Sequence, residues 1–169
     1  MVDAVVLPCL RFVVDCDAHQ GNGTERAFLQ DSDVFILDVY NPNVFPRDEY
    51  AKQAVSCEVH VSIVDSDEEY LSKLSSYLSR SVSEFNPDMI FYNAGTDCLA
   101  GDPLGGLNLS PQGIISRDEI VFAGAMNREP HIPIAMVLSG GYQVSNAGLV
   151  AESIINLNYK FSLTSRYSK

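Results

Sequence analysis

Two carboxylates and an imidazole follow a short apolar run near the start of the sequence. Asp15, Asp17 and His19 alternate along the chain, and a glycine- and asparagine-rich turn comes directly after them. In extended backbone alternate side chains share one face, so this spacing predicts that the three groups point into one small volume. Grouped carboxylates are costly to bury without a compensating cation, which makes a metal ion the natural occupant. A strand-end cluster that simply faces solvent stays open as the alternative.

Polar residues also follow two later apolar runs. Asp97 comes after a run that is apolar at nearly every position, and Tyr142 comes after another such run and two glycines. Ligands of open α/β sheets bind at the carboxyl ends of the strands, so these positions favour a metal site made by Asp17, His19 and Asp97. Three protein ligands leave a fourth position open, as in catalytic zinc sites. Tyr142 could then donate a hydrogen bond to a developing oxyanion.

The elements that must position these residues alternate between strands and helices. Predicted strands cover residues 11–19, 34–40, 59–64, 89–95 and 132–139, and predicted helices cover residues 24–30, 49–55, 65–85, 110–127 and 145–156. This alternation predicts an α/β fold with a three-layer arrangement, in which helices flank a parallel sheet joined by right-handed crossovers. The continuous apolar character of residues 89–95 predicts a strand that is covered on both faces.

The bulk composition is typical of one acidic globular domain. The chain has 169 residues, of which 46% are hydrophobic, enough for a single domain with a substantial core. A net charge of -11 argues against direct nucleic-acid binding and favours a cationic partner such as a lysine-bearing peptide. Residues 1–10 carry no basic leader, so we expect neither a signal peptide nor a membrane span. Four cysteines without C-x-x-C spacing predict reduced thiols in the nucleus or cytoplasm.

Three ordered motifs resemble those of zinc-dependent histone deacetylases. They read V-D-C-D-A-H-Q-G-N-G, N-A-G-T-D-x-L-x-G-D-P-L-G-G-L and S-G-G-Y-Q, and the similarity runs over residues 11–157. The segment A-H-Q-G-N-G has Asn22 where other deacetylase classes carry aspartate, and it resembles the corresponding segment of the class IV branch. The resemblance implies an arginase/deacetylase-like fold, Zn²⁺ as cofactor, and hydrolysis of N-acyl-lysine on histones or other proteins, and hence a role in chromatin and transcription.

The resemblance also implies a role for each matching residue. The implied metal ligands are Asp17, His19 and Asp97. The implied catalytic residues are Tyr142, which polarises the acyl carbonyl, and Asp15, which orients a histidine of a paired-histidine motif. The implied substrate-binding residues are Leu104 and Gly141. An arginase-like hydrolase is a second reading, but its second metal needs a carboxylate where this chain has Gly21. We interpret Cys16 and Cys98, which flank the ligands, as packing thiols.

One departure from the family pattern concerns the general base. Family members carry a tandem His-His pair upstream of the D-x-D-x-H motif, whereas the histidines of this chain are His19, His60 and His131. We interpret the last two as solvated loop residues. The sequence therefore predicts a single partial domain over residues 1–169, truncated at its amino-terminal side in a splice form or an incomplete gene model, with an atypical segment at residues 1–10 and a tail at residues 158–169.

The missing base has two predicted consequences. General acid-base assistance is typically worth about 10²- to 10⁴-fold, so an impaired enzyme is expected. An uncovered sheet edge or face is also expected, with self-association through it. The alternative of a different class is a catalytically inactive isoform that binds or regulates partners.

Overall fold

The structure is a computed structural model that describes residues 9–164. Over this range the elements are, in chain order, β1 (Arg11–Asp15), α1 (Asn22–Ala27), β2 (Val34–Tyr40), a 3₁₀ turn (Ala51–Ala54), β3 (Cys57–His60), α2 (Asp67–Phe85), β4 (Met89–Asn93), α3 (Pro111–Met126), β5 (Ile134–Val137) and α4 (Asn146–Phe161). The predicted strands and helices are present with ends that shift by a few residues, except that the helix predicted over residues 49–55 is only a 3₁₀ turn.

The five strands form one parallel sheet in the order β3-β2-β1-β4-β5. This confirms the α/β prediction. Within the sheet, Asp15 at the end of β1 lies opposite Asp38 of β2 and Asn93 of β4. Because β1, β4 and β5 are neighbours and run the same way, the loops that leave them meet at one edge of the sheet.

The sheet is flanked by helices on two sides, but unequally. One face packs against α2, α3 and α4 in a large core that includes Phe12, Tyr92 and Leu74. The other face holds a small cluster built on Val13, against which Phe28 packs. The prediction that β4 is covered on both faces is wrong, because Phe91 on this second side is 39% exposed. An apolar run shows which side chains are hydrophobic, but it does not show whether a helix covers both faces of the strand.

The helix ends follow the expected capping chemistry. The side chain of Ser66 accepts a hydrogen bond from the Glu69 amide in a capping box, and α2 ends at the left-handed Asn86, directly before a proline. Helix α4 continues to Phe161, so part of the predicted tail at residues 158–169 is helical. Residues 1–8, which include most of the predicted atypical segment, and residues 165–169 lie outside the described range. Within residues 9–164 no helix combines the length and apolar character needed to cross a bilayer.

Candidate metal centre

The D-x-D-x-H segment bends instead of continuing as a strand. We expected extended backbone as far as His19, but β1 ends at Asp15 and the chain turns over the next residues. Asp15 Oδ1 accepts a hydrogen bond from the Asp17 amide, and Asp17 Oδ1 accepts one from the His19 amide, both at 3.0 Å. Such aspartate turns compete with strand geometry. The turn, and not strand alternation, therefore brings Asp17 and His19 together. Asp15 Oδ1 also accepts a hydrogen bond from the side-chain amide of Asn93 (Nδ2) at 2.9 Å.

The structure brings the three predicted ligands to one point. Asp17, His19 and Asp97 each offer a ligand atom, and these atoms all lie within 4.8 Å of one another. His19 Nδ1 lies 3.1 Å from Asp17 Oδ1 and 2.7 Å from Asp97 Oδ2. Asp97 reaches this point from the loop that leaves β4, the neighbour of β1. One divalent ion could contact all three groups, since zinc binds such oxygen and nitrogen ligands at about 2.0–2.2 Å.

Each carboxylate of the centre is held by its other oxygen. The Ala18 amide donates to Asp97 Oδ1 at 2.8 Å, while Ser139 Oγ and the Gly140 amide donate to Asp17 Oδ2 at 2.7 and 2.9 Å. The oxygens that remain, Asp97 Oδ2 and Asp17 Oδ1, face the imidazole. Outer partners of this kind orient metal ligands, so the donor set fits a divalent cation. Sequence reasoning missed Ser139, although it begins the S-G-G-Y-Q motif.

Protons and charge are shared closely among the three groups. Burial, and next the charge of Asp17, raise the pKa of Asp97 to about 6. Burial alone would raise the pKa of Asp17, but hydrogen bonds from Asp97 and neighbouring amides outweigh it and lower that pKa. Burial lowers the pKa of His19, yet its bonds to both carboxylates raise it overall. The ionisation of the three groups is therefore linked, and a divalent cation would favour the ionised carboxylates and the neutral imidazole.

A second acidic group lies beside the centre. Burial raises the pKa of Asp15 to about 7, against the opposing hydrogen bond from Asn93. Burial also raises the pKa of Asp38 well above its usual value, with the charge of Asp15 and a contact with Glu25 adding to it. A Cβ on Gly21 would lie 2.6 Å from Asp15 Oδ2, so an arginase-like second carboxylate has no room at this position. The one sign of Asp38 in the sequence is that an aspartate stands within an otherwise apolar strand.

The backbone of Gly140 lies against both ligand carboxylates. A Cβ at this position would lie 2.3 Å from Asp97 Oδ2 and 2.5 Å from Asp17 Oδ2. Real Cβ atoms do not approach oxygen so closely, so only glycine leaves the two carboxylates in place. The next residue, Gly141, has a φ of +142°, and a Cβ there would lie 2.1 Å from Thr96 Oγ1. Gly141, predicted to bind substrate, thus shapes the turn that carries Tyr142.

Asp102 joins the two loops that carry Tyr142 and Leu104. Its Oδ2 accepts from the Tyr142 amide at 2.9 Å, and its Oδ1 accepts from the amides of Leu104 and Gly105 at 2.9 and 3.1 Å. Tyr142 and Leu104 are about half exposed. Partial burial and then the charge of Asp97 raise the pKa of Tyr142. Asp102 stands within the N-A-G-T-D-x-L-x-G-D-P-L-G-G-L motif, but the sequence alone indicates no role for it.

The other histidines and the cysteines lie outside the metal centre. His60 ends strand β3, which corrects its assignment to a loop, and its Nε2 lies 2.9 Å from Glu58. His131 contacts Glu129 at 3.4 Å. All four cysteines are free thiols in the structure. Burial raises the pKa of Cys98 to about 12, consistent with a neutral packing thiol.

Fold and site together define an α/β domain with a candidate three-ligand metal site at the carboxyl ends of the strands of a parallel sheet. The family profile described as "Histone deacetylase domain" matches residues 11–157. The chain therefore belongs to the histone deacetylase family.

A sequence relative is similar to the chain over most of its length, and two solved structures share its fold. Over 146 residues the chain is 48% identical to "Histone deacetylase 2" of Arabidopsis thaliana, covering 86% of this chain and 37% of that protein. The crystal structure of the HDA15 HD domain superimposes with a TM-score of 0.71 at 24% identity, covering 87% of this chain and 44% of that one. An acetylpolyamine aminohydrolase from Burkholderia pseudomallei gives a TM-score of 0.72 at 19% identity, covering 88% and 44%. The chain thus spans less than half the length of these proteins.

Proposed function

We propose that the chain is a zinc-dependent deacylase that hydrolyses the amide bond of N-acyl-lysine in proteins, histones among them. The observation that carries this proposal is the convergence of Asp17, His19 and Asp97 within 4.8 Å. Membership of the histone deacetylase family supports the reaction class. A zinc ion held by three protein ligands supplies Lewis acidity that polarises an acyl carbonyl and acidifies water.

The chain's own residues divide the work around that ion. Asp17, His19 and Asp97 hold the metal, and Tyr142 donates a hydrogen bond to the oxyanion that forms from the acyl carbonyl. Leu104 and the backbone at Gly141 contact the acyl-lysine. Asp102 supports this arrangement, because its carboxylate holds the amides of both Tyr142 and Leu104.

Turnover by this 169-residue chain is proposed to be slow. The sequence contains no two adjacent histidines, and the paired base of the family is worth about 10²- to 10⁴-fold if it acts as general acid-base catalysts usually do. Asp15, the predicted partner of such a histidine, is held instead by Asn93. Its proposed role therefore needs a histidine that this sequence does not supply.

Replacing Tyr142 by phenylalanine tests the proposed oxyanion role. We expect Tyr142→Phe to lower turnover of an acyl-lysine peptide by about 100-fold, the range found when one oxyanion donor is removed, and to leave zinc affinity unchanged. Mass spectrometry of the released carboxylic acid over long incubations gives the rate. The exposed Tyr159→Phe is the matched control and should match the parent. Equal rates for parent and Tyr142→Phe would contradict the role of the phenol.

A non-catalytic binding protein is the second candidate, and the absence of adjacent histidines favours it. Such a chain would bind zinc and an acyl-lysine peptide without releasing acid. Calorimetric binding with no product after prolonged incubation would support this candidate over the deacylase. Release of acid that depends on zinc would exclude it.

We also propose membership of the class IV branch and residence in the nucleus or cytoplasm. The wording A-H-Q-G-N-G supports the branch, and here Asn22 opens α1 with its side-chain amide donating to Asp48 at 3.2 Å. The four free thiols support a reducing compartment. Imaging of a fluorescently tagged chain would check the residence, and secretion would contradict it.

Self-association through the open sheet face is proposed as well. A groove of roughly 370 Å³ on that face is lined by apolar side chains that include Val13, Phe28, Phe91 and Val137. Such uncovered apolar surface favours association. We expect Phe91→Ser to shift the chain towards the monomer in sedimentation velocity, whereas Val144→Ser, at a fully exposed residue outside the groove, should not. A parent chain that stays monomeric at every concentration would contradict the proposal.

A further inference from the structure

Helix α3 buries a charged pair on its core-facing side. Arg117 is 0% exposed and Asp118 is 2% exposed, and they lie one turn from the buried Ile114 and Val121. An arginine and an aspartate thus occupy positions where an amphipathic helix normally carries apolar side chains. Burying a charge is unfavourable unless it is paired and hydrogen-bonded, so the contacts of this pair matter.

Arg117 contacts the two strand ends that carry the metal ligands. Its Nη1 donates to the carbonyl oxygens of Gly95 and Cys16 at 2.5 and 3.2 Å, and lies 2.9 Å from Cys98 Sγ. Cys16 directly precedes one ligand, Asp17, and Gly95 stands two residues before Asp97. One nitrogen atom therefore touches both polypeptide segments just before each reaches the metal centre.

The regular ladder between β1 and β4 is replaced by this contact at its end. The Cys16 amide still donates to the Asn93 carbonyl at 3.0 Å, the last backbone bond between the two segments at this end. Beyond it the carbonyls of Cys16 and Gly95 both turn towards Arg117. Two carbonyl oxygens repel one another, and a shared guanidinium donor holds them together.

Asp118 anchors the guanidinium from the other side. Arg117 Nε and Nη2 donate to Asp118 Oδ1 at 3.0 and 2.8 Å. The same carboxylate accepts from Tyr92 Oη, and its Oδ2 accepts from Ser153 Oγ at 2.6 Å. The planar fork of arginine makes these contacts at once, which a lysine ammonium cannot do.

We propose that Arg117 is a positioning residue for the metal centre: it ties the ends of β1 and β4 so that Asp17 and Asp97 stay within reach of one ion. This inference rests on the proposed zinc-binding function. The hydrogen bonds of Arg117 include neither the ligand atoms nor the proposed substrate-binding residues, Leu104 and Gly141. It therefore acts through the backbone of the two strand ends.

Zinc affinity of the full chain, measured by competition with a chromophoric chelator, tests whether Arg117 holds the ends of β1 and β4 together. Arg117→Met removes all donors and is expected to weaken zinc binding by about 10-fold, as outer partners of metal ligands commonly do. Arg117→Lys keeps the charge beside Asp118 but reaches one carbonyl at most, so it should fold and show a smaller loss. The Co²⁺ spectrum of both variants should report a distorted ligand set.

Ser153→Ala is the matched control, because it removes one buried hydrogen bond from the same network without touching Arg117. It should lower thermal stability but leave zinc affinity within about 2-fold and the Co²⁺ spectrum unchanged. Zinc affinity that is equal in the parent, Arg117→Lys and Arg117→Met would overturn the proposal. So would a loss in Ser153→Ala as large as that in Arg117→Lys, because general destabilisation would then explain both.

Amide hydrogen exchange separates failure of this inference from failure of the proposed function. A parent chain that binds no zinc would refute the metal site itself. Even then, the Ala18 amide, which donates to Asp97 Oδ1 between the two tied segments, should exchange faster in Arg117→Lys than in Ser153→Ala. Equal Ala18 exchange in the two variants would refute the tie whatever the result with zinc.

Discussion

Asp97→Asn is expected to weaken zinc binding by at least about 1,000-fold, more than the roughly 10- to 100-fold that follows loss of an outer partner. Asparagine keeps the volume, and its oxygen can still accept the Ala18 amide that Oδ1 accepts now. The amide nitrogen would then replace Oδ2, which lies 2.7 Å from His19 Nδ1. A donor group and the lost negative charge would both face the cation. Calorimetric titration with zinc measures the effect.

Thermal unfolding provides a second measurement of the same change. A ligand that binds only the folded state stabilises it, so zinc should raise the melting temperature of the parent and leave that of Asp97→Asn unchanged. Asp65→Asn is the control, since Asp65 pairs with Lys73 away from the centre. That variant should keep the parent's response to zinc. If Asp97→Asn binds zinc as the parent does, Asp97 is not a ligand.

Gly140→Ala is expected to lower zinc affinity by about 500-fold, beyond the effect of losing one outer partner because two ligands move at once. The added methyl would fall 2.3 Å from Asp97 Oδ2 and 2.5 Å from Asp17 Oδ2. Neither carboxylate can retreat freely, since the Ala18 amide holds one and Ser139 holds the other. We therefore expect the two ligand oxygens to separate, with a matching loss of the Co²⁺ spectrum of the parent.

Gly148→Ala is the matched glycine control for this experiment. Nothing lies within 4 Å of a Cβ built at Gly148, which is in the first turn of α4. Alanine should be neutral there or stabilise the fold by up to about 1 kcal/mol, because glycine is a poor helix former. Zinc affinity should not change. A Gly140→Ala variant that binds zinc like Gly148→Ala would show that the turn can move away from the carboxylates.

Hydrophobic periodicity was sufficient to predict the architecture. Alternating strands and helices predicted the parallel sheet, and the predicted helices over residues 65–85 and 110–127 begin close to the residues that cap them in the structure, Ser66 and Ser110. The coverage of the sheet was not predictable in this way, because Phe91 is apolar whether or not a helix lies over it.

The candidate site was predictable where residues stand at strand ends, and less so where geometry depends on contacts distant in sequence. Asp17, His19 and Asp97 were predicted to lie close together, and they do, but aspartate turns and not strand alternation bring the first two together. Asp102 accepts a hydrogen bond from the Tyr142 amide, 40 positions away in the chain, and Ser139 donates one to Asp17, 122 positions away. No local sequence pattern reports contacts of this length. For Arg117 and Asp118 the sequence offers one sign: both are charged residues at positions of α3 where apolar residues are expected.

The hydrogen bond from Ser139 to Asp17 joins residues 122 positions apart, and the bond from Ala18 to Asp97 joins residues 79 apart. Contacts of such long sequence separation form late, because the chain must first lose the entropy of closing the intervening loops. The hydrogen bonds that Ser139 and Gly140 donate to Asp17 can therefore form only once β5 has joined the sheet. Metal binding would then stabilise the folded domain, and it would slow unfolding more than it would speed folding.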